Sequence, residues 1–500
     1  MLLKEMLIGF PVKEWIGSGD REISGIVYSS KEVRPGFLFC AMRGWKTDGH
    51  RFIGEAVASG AVAVLGEDAS QFSKSWLDRA TFIRTENARS LFAELASRFY
   101  GEPSRRMGVV GITGTNGKTT TAFLIRSLLE PLGPTGLIGT VGNWIGKEKR
   151  PARHTTPESS DLQSLFREME NRGVRNIVME VSSHALALDR VRGTCFDTVV
   201  FTNLTQDHLD FHHDMESYFK AKALLFSEMA YAGEKGKRPL GLINVDDPWG
   251  ERLKSIAGGE IWTYAVENRA DIRAEDLRMD DSGTRLVLKT PAGNLKIRSP
   301  LLGKFNVYNL MAAAGAALRH GIPVSAIEEA LEKTGQVPGR LERVPGNYPF
   351  SVFIDYAHTD DALRKILETL NVLKRGRLIV LFGCGGDRDR GKRPKMGRAA
   401  SEMADLLILT SDNPRSEDPE AILNEIETGV LPFAGGRKTV LRRIADRREA
   451  IQAAIEEAGP GDIVLIAGKG HEEVQILGDR TIEFSDQKVS AAFLRERFGA

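Results

Sequence analysis

The segment Gly111-Ile112-Thr113-Gly114-Thr115-Asn116-Gly117-Lys118-Thr119-Thr120-Thr121 carries the residue types that grip a polyphosphate. Glycines let the backbone curl so that several N–H groups converge on phosphate oxygens. A helix opening at GKTTT adds its positive N-terminal end. Lys118 can reach the outer phosphates, and the Thr119 hydroxyl can hold Mg2+. The general GxxxxGK[ST] spacing would place glycine at 112, but Ile112 stands there and glycines sit at 111 and 114. The apolar strand MGVVGI before the loop and the helix after it favour nucleotide binding over a generic glycine turn.

Three other clusters have residues suited to chemistry. Glu180 ends the apolar run NIVMEV and is followed by Ser182-Ser183-His184. Asn203-Leu204-Thr205-Gln206-Asp207-His208-Leu209-Asp210 follows the run DTVVFTN. A carboxylate and an imidazole at neighbouring strand ends could hold a second Mg2+ beside a transferring phosphoryl group. Taken alone, His208 is more simply a surface or capping histidine; beside a phosphate loop the functional reading is the better one. Lys222, in the helical stretch Tyr218–Phe226, reads from the sequence alone as a solvated lysine, as does Lys220. Arg415 in Asp412-Asn413-Pro414-Arg415 reads as a turn arginine or as a bidentate partner for a carboxylate.

The elements that must position these groups are legible as blocks. At 500 residues the chain is too long for one hydrophobic core, and about three domains are expected. The blocks run 1–104, 105–337 and 338–500, with GEPSRR and TGQVPGR as linkers. The first holds short strand-like pieces (GIVYSS, GFLFCAM, AVAVLG) and a helix from Asn87 to Tyr100. The second alternates buried strands with helices, the pattern of a parallel sheet covered by helices. The third repeats it: SVFID, RLIVLFG, LLILTS and DIVLIAG each run into a polar or glycine-rich cluster. In open parallel sheets ligands bind beyond the carboxyl ends of the strands, so these four clusters suggest one binding edge. Polar strand-to-helix loops are the plainer alternative.

Composition excludes several classes. Sixty-eight basic against 67 acidic side chains leave a net charge of +1, which gives no sign of a polyanion-binding surface. Cys40, Cys195 and Cys384 are scattered, which argues against a disulfide framework or zinc site and for a reducing, cytoplasmic setting. The N-terminal apolar stretch is too short and interrupted for a signal peptide, and no apolar run suits a membrane span. No nucleic acid partner is expected.

TGTNGKTTT resembles the ATP loop of the Mur ligases and of their folylpolyglutamate synthetase relatives, including its departure from the general spacing. The resemblance extends along the whole chain. It implies an α/β protein of three domains: an N-terminal UDP-sugar-binding α/β domain, a central P-loop ATPase domain with a mostly parallel sheet, and a C-terminal Rossmann-like domain that binds an amino acid. It implies ATP contacts from Gly114, Thr115, Asn116, Gly117, Lys118, Thr119 and Thr120. Base and ribose contacts would come from Asn306 (GKFNVYN) and from Asp355 and His358 (DYAHTDD). Arg340, after the hinge Gly339, would meet the γ-phosphate once the domains close. The lysine of the family's Y-x-x-x-K-x-x-L-[FY] segment is carbamylated, which points to Lys222 as N6-carboxylysine. Thr119, Glu180, His208 and that carbamate would then hold Mg2+.

By position Ser29 and Trp45-Lys46-Thr47 resemble the UDP-sugar contacts, although the family commonly has Asp-Ser-Arg where this chain has Tyr28-Ser29-Ser30. Thr155, Thr156, Ser182 and Arg190 match residues that hold the muramoyl dipeptide. Their hydroxyls and guanidinium suit an anionic, hydroxyl-rich ligand. The DNPR segment Asp412-Asn413-Pro414-Arg415 marks the members that add meso-2,6-diaminopimelate, with Arg388, Gly468 and Glu472 completing that site. A guanidinium can take the far carboxylate of diaminopimelate; lysine has none, so Arg415 would be left desolvated and unpaired. The implied activity is ATP-dependent addition of meso-2,6-diaminopimelate to UDP-N-acetylmuramoyl-L-alanyl-D-glutamate through an acyl-phosphate, in peptidoglycan precursor synthesis, by a monomer. A lysine-adding ligase, a folylpolyglutamate synthetase and a non-catalytic nucleotide switch are the rival readings. Arg415 and the UDP-type first domain weigh against the first two.

Overall fold

Short apolar runs separated by polar helices favour parallel sheets buried on both faces. The structure, a computed structural model, describes residues 1–44, 47–229, 239–430, 433–434 and 437–499. Three sheets of five or more strands form in succession along the chain. In the first, Gly25–Val27, Phe37–Cys40, Ala61–Gly66 and Thr81–Arg84 run parallel in that order, and Glu14–Ile16 pairs antiparallel on the far edge. The helix Ala88–Phe99 covers it, started by the Asn87 side chain, which accepts from Ser90 N.

The second sheet has eleven strands. Its centre is Gly108–Thr113, flanked in parallel by Asn176–Glu180 and Thr198–Phe201. Thr135–Gly139 extends one side, and Leu240–Asn244, Glu260–Ala265 and the start of Ile272–Asp280 extend the other, all parallel. Antiparallel strands finish both edges: Gly142–Ile145 and Glu148–Arg150 on one, Gly283–Thr290 and Gly293–Ser299 on the other. The register sets Glu180 opposite Ile112 and Phe201 opposite Thr113. Three loops, after residues 113, 180 and 201, therefore emerge side by side from one edge. The helix Lys118–Leu129 is covered by Lys304–Arg319, whose buried Ala312, Ala313, Ala314, Ala316 and Ala317 allow a close approach.

In the third sheet Ser351–Asp355, Ile463–Ala467, Leu378–Phe382, Leu406–Leu409 and Val440–Arg443 lie parallel in that order, with Glu342–Arg343 antiparallel at one edge. The four polar clusters expected at strand ends thus share one edge. No strand or helix lies between Glu332 and Glu342, where TGQVPGR leads into this sheet.

Candidate active site

Backbone demands fix the phosphate loop first. Gly114 has φ +148°, and a Cβ there would overlap the Thr202 hydroxyl; Gly117 has φ +86° and caps the helix that follows. The loop is braced from the neighbouring strand end. Asn203 O accepts from Thr115 N at 2.8 Å, Asn203 Oδ1 accepts from Asn116 N at 2.9 Å, and Asn203 Nδ2 donates to Asn116 O at 3.1 Å. Thr202 Oγ1 donates to the same Asn116 carbonyl at 2.7 Å.

Two lysines converge on this loop. Lys118 Nζ donates to Gly114 O at 2.9 Å and Thr115 O at 2.8 Å, and Lys222 Nζ donates to Gly114 O at 2.8 Å. Lys222 is 1% exposed, and its ammonium lies 4.5 Å from the Tyr218 ring one helical turn earlier. Burial first, and then the Lys118 charge, push its pKa well below the ordinary lysine value. Lys220 is solvated and paired with Glu216 at 3.8 Å. The solvated reading of Lys222 is therefore wrong: the helix Met215–Leu224 turns that residue inward and Lys220 outward.

Glu180 is buried at the end of its strand. It accepts from Thr119 Oγ1 at 3.1 Å, from Thr140 N at 2.9 Å and from Thr140 Oγ1 at 3.2 Å. Arg340 Nη2 donates to Thr119 Oγ1 at 3.0 Å, which brings the hinge arginine onto the loop. Thr155 Oγ1 lies 3.1 Å from Thr140 Oγ1. Thr156 Oγ1 donates to Glu180 O at 2.8 Å and accepts from Ser182 N at 3.1 Å, and Arg190 Nη1 donates to Thr156 O at 3.1 Å. Arg190 also pairs with Glu158 at 2.8 Å, which Arg89 of the first sheet's helix approaches at 3.4 Å.

A cavity of about 740 Å3 collects most of these groups. Residues 114–120, Thr155, Glu180, Ser182, His208, Lys222, Arg340, Asp355 and His358 all line it. His208, in a left-handed conformation with φ +54°, has its ring centroid 4.8 Å from that of His184 and Nε2 3.4 Å from Asp207. An apolar end is formed by Met279, Leu302, Phe305, Ile366, Val372 and Leu373, contributed by both the second and third sheets' elements. Asn306 is not on the wall. It is buried, donating to Leu302 O at 2.8 Å and accepting from Asn309 Nδ2 at 2.9 Å. The Asp355 carboxylate accepts from Leu341 N and Ala357 N, both at 2.6 Å, and burial raises its pKa to about 6. His358 Nδ1 lies 2.8 Å from Tyr356 O.

Among the described residues no group of three or more His, Cys, Asp or Glu forms a metal cage. Magnesium at phosphate sites ordinarily takes one or two protein oxygens and completes its shell with phosphate and water. A hydroxyl bonded to a buried carboxylate, with an imidazole on the same wall, fits that arrangement.

The other described site residues expected from the sequence do not line the cavity. Ser29 precedes the short turn Ser30–Glu32, and Thr47 is exposed with its carbonyl accepting from Gly44 N at 3.0 Å. Trp45 and Lys46 fall outside the described residues. Beside Ser29, the Tyr28 hydroxyl donates to Asp161 at 3.0 Å and so ties the first sheet to the second. At the third sheet's edge Arg415 adopts φ +54°, with Nη1 donating to Gly386 O at 2.6 Å. A Cβ on Gly385 would stand 3.0 Å from Arg415 Nη1 and 3.8 Å from Arg388 Cγ, so the two arginines flank that glycine. Gly468, at φ +111°, leaves room for the Asp412 carboxylate, which would lie 2.5 Å from a Cβ. Asn413 Nδ2 donates to Glu472 at 2.8 Å.

Sequence reasoning missed the groups behind these residues. Lys469 is fully buried and donates to Asn413 Oδ1 at 3.0 Å and Glu472 at 2.9 Å. Burial alone would raise the Glu472 pKa, but the Lys469 charge and the bonds from Lys469 and Asn413 hold it below the ordinary value. Arg447 and Asp486, both inaccessible, pair at 2.7 Å, and Arg447 also donates to Ser411 O at 3.3 Å and Ala467 O at 3.0 Å. That guanidinium ties the strand ends carrying Asp412 and Gly468. Removing one member of such a buried pair costs roughly 3–5 kcal/mol. Thr140 and Arg447 had no signal in the sequence; Lys469 and His471 sit in the AGKGHE cluster, where the signal was a charged strand end.

The comparisons with known proteins agree with this geometry. A model of the Mur ligase middle domain matches residues 112–317, one of the Mur ligase glutamate ligase domain matches 339–470, and one of the Mur ligase family catalytic domain matches 22–100. The UDP-N-acetylmuramoyl-L-alanyl-D-glutamate–2,6-diaminopimelate ligase of Gloeobacter violaceus is 48% identical over 481 residues, 96% of this chain and 95% of that one. The ligase of the same name from Syntrophomonas wolfei is 45% identical over 496 residues, 99% of each chain. A solved structure of a ligase of that name superposes with a TM-score of 0.71 at 33% identity, covering 99% of each chain. The folylpolyglutamate synthase of Mycobacterium tuberculosis shares the fold, with a TM-score of 0.60 at 19% identity, over 81% of this chain and 94% of that one.

Proposed function

The chain belongs to the Mur ligase family, and from that premise we propose that it adds meso-2,6-diaminopimelate to UDP-N-acetylmuramoyl-L-alanyl-D-glutamate in the cytoplasm. It is an ATP-dependent, ADP-forming ligase. The observation that carries the site assignment is the convergence of Lys118 and buried Lys222 on the Gly114 carbonyl, on a wall shared with Glu180, Thr155 and Ser182. The domains divide at 104/105 and 337/338 on this reading, and one chain supplies every group, so a monomer suffices.

The γ-carboxylate of the D-glutamyl residue attacks the γ-phosphate of ATP. Loop N–H groups, Lys118 and Arg340 offset the charge that spreads over the phosphoryl oxygens. Thr119, Glu180, His208 and a carbamate on Lys222 would hold Mg2+, which neutralises phosphate charge when bound. The diaminopimelate amine then attacks the acyl carbon, forming the C–N bond and expelling phosphate. The apolar end of the cavity, built from both the second and third sheets' elements, suits the adenine. Closure of the third domain over it keeps water from the acyl-phosphate.

Burial of Lys222 supports its carbamylation: an amine held uncharged can take up CO2 and release a proton. Intact-mass measurement from bicarbonate buffer is expected to show one added CO2 that Lys222→Arg lacks; equal masses would leave Lys222 an amine. The activity is tested by ADP release with each substrate omitted in turn. Release is expected only with the UDP-dipeptide present, and release without it would leave the nucleotide-switch reading standing.

A further inference from the structure

The reaction requires the incoming nitrogen to lose a proton, and the charged groups that hold the phosphate loop are already committed. Lys118 and Arg340 are engaged with the loop, Lys222 is assigned to the carbamate, and Glu180 already accepts from Thr119 and Thr140. One side chain at the seam between the second and third sheets' elements is different. His471 follows the left-handed Gly470, where a Cβ would lie 2.7 Å from Tyr356 Cβ, and packs beside the hinge Gly339. Its ring centroid is 5.2 Å from that of Tyr356, over which Arg340 lies at 4.7 Å.

The Thr140 backbone beside the ring favours its protonated form, and the Thr140 N–H is already given to Glu180. Nδ1 is buried with no hydrogen-bond partner. With the neutral ring's proton on Nε2, Nδ1 keeps an unshared lone pair. On one side of this ring is Thr140, whose amide and hydroxyl both reach Glu180; on the other, the next residue, Glu472, belongs to the Asn413–Lys469 cluster.

We propose that His471 is the general base of the amide-forming step, its Nδ1 taking the proton from the attacking amine. This rests on the ligase reading above. As the C–N bond forms, the nitrogen proton passes to Nδ1, the C–O bond to phosphate breaks with its electron pair, and the ring then returns the proton to phosphate or water. Burial first, and then the Arg340 charge, lower the ring's pKa to about 4; Glu472 and the Thr140 backbone oppose them, and Lys149 adds to them. The free base is thus the resting form at neutral pH. Bound phosphates offset Arg340 and move the pKa upward, toward the value a base needs.

The test uses full-length protein and two nucleophiles. His471→Gln keeps a hydrogen-bond donor but has no base at the δ position. Its kcat for diaminopimelate addition is expected to fall roughly 10²–10⁴-fold, with loss of the limb of the kcat–pH profile that rises as the ring deprotonates. Hydroxylamine, unprotonated at neutral pH, still sheds a proton as its C–N bond forms but can hand it to water, so hydroxamate formed from ATP and the UDP-dipeptide should stay near the wild-type rate. His471→Asn serves as the second variant and should show the same split. Diaminopimelate turnover within about threefold of wild type, an unchanged pH profile, or a parallel fall in hydroxamate overturns the assignment. Wild-type protein that forms no hydroxamate overturns the ligase reading, and this inference with it.

Discussion

Lys118→Ala lowers ADP formation at saturating substrates by roughly 10²–10³-fold, about 3–4 kcal/mol, the scale of losing one preorganised charge donor at the transition state. The fold should survive the change. The bonds from Lys118 to Gly114 O and Thr115 O are lost, but Gly114 O still accepts from Lys222 and the loop remains braced by Thr202 and Asn203. The lysine is held by loop carbonyls before any phosphate arrives, so the ordering entropy is already spent and the charge meets the γ-phosphate without rearrangement. Steady-state ADP release with a thermal-unfolding control decides the matter. Turnover within tenfold of wild type, with the fold intact, would remove Lys118 from the phosphate site.

Arg415→Lys separates specificity from catalysis. Wild-type protein is expected to prefer meso-diaminopimelate over lysine by on the order of 10⁴ in kcat/KM, because a site built around a distal carboxylate leaves its donor unpaired when that group is missing. The substitution keeps a positive charge and the same left-handed backbone demand at φ +54°. It loses the fork of donors, of which Nη1 is already committed to Gly386 O. Diaminopimelate kcat/KM should drop about 100-fold, about 3 kcal/mol, while lysine is little changed. The measurement is kcat/KM for both amino acids on both proteins. An equal fall for the two would make Arg415 a structural residue, and lysine preferred by the wild type would end the diaminopimelate reading.

Local chemistry made the phosphate loop legible. Gly114, Gly117, Lys118 and Thr119 are contiguous, and the strand and helix around them follow from neighbouring residues. The four strand-end clusters of the third block were legible for the same reason, since a parallel sheet puts every carboxyl end on one edge. The antiparallel strands at both edges of the central sheet were not read. Neither was the engagement of Asn306 with Leu302 O, behind the cavity wall rather than on it.

Residue type and short-range spacing determined which groups this protein could use: a glycine loop with its lysine, a carboxylate at a strand end, an arginine after Asn-Pro. Which of two lysines faces inward was decided by the packing of the helix Met215–Leu224, because a helix lysine's solvation depends on what covers that face. Only the assembled sheets could bring Thr140 to Glu180 and set His471 against it, since strand order joins residues far apart in the chain. Burial and neighbouring charge, which set the protonation of Lys222, Glu472 and His471, exist only once those surfaces are in contact.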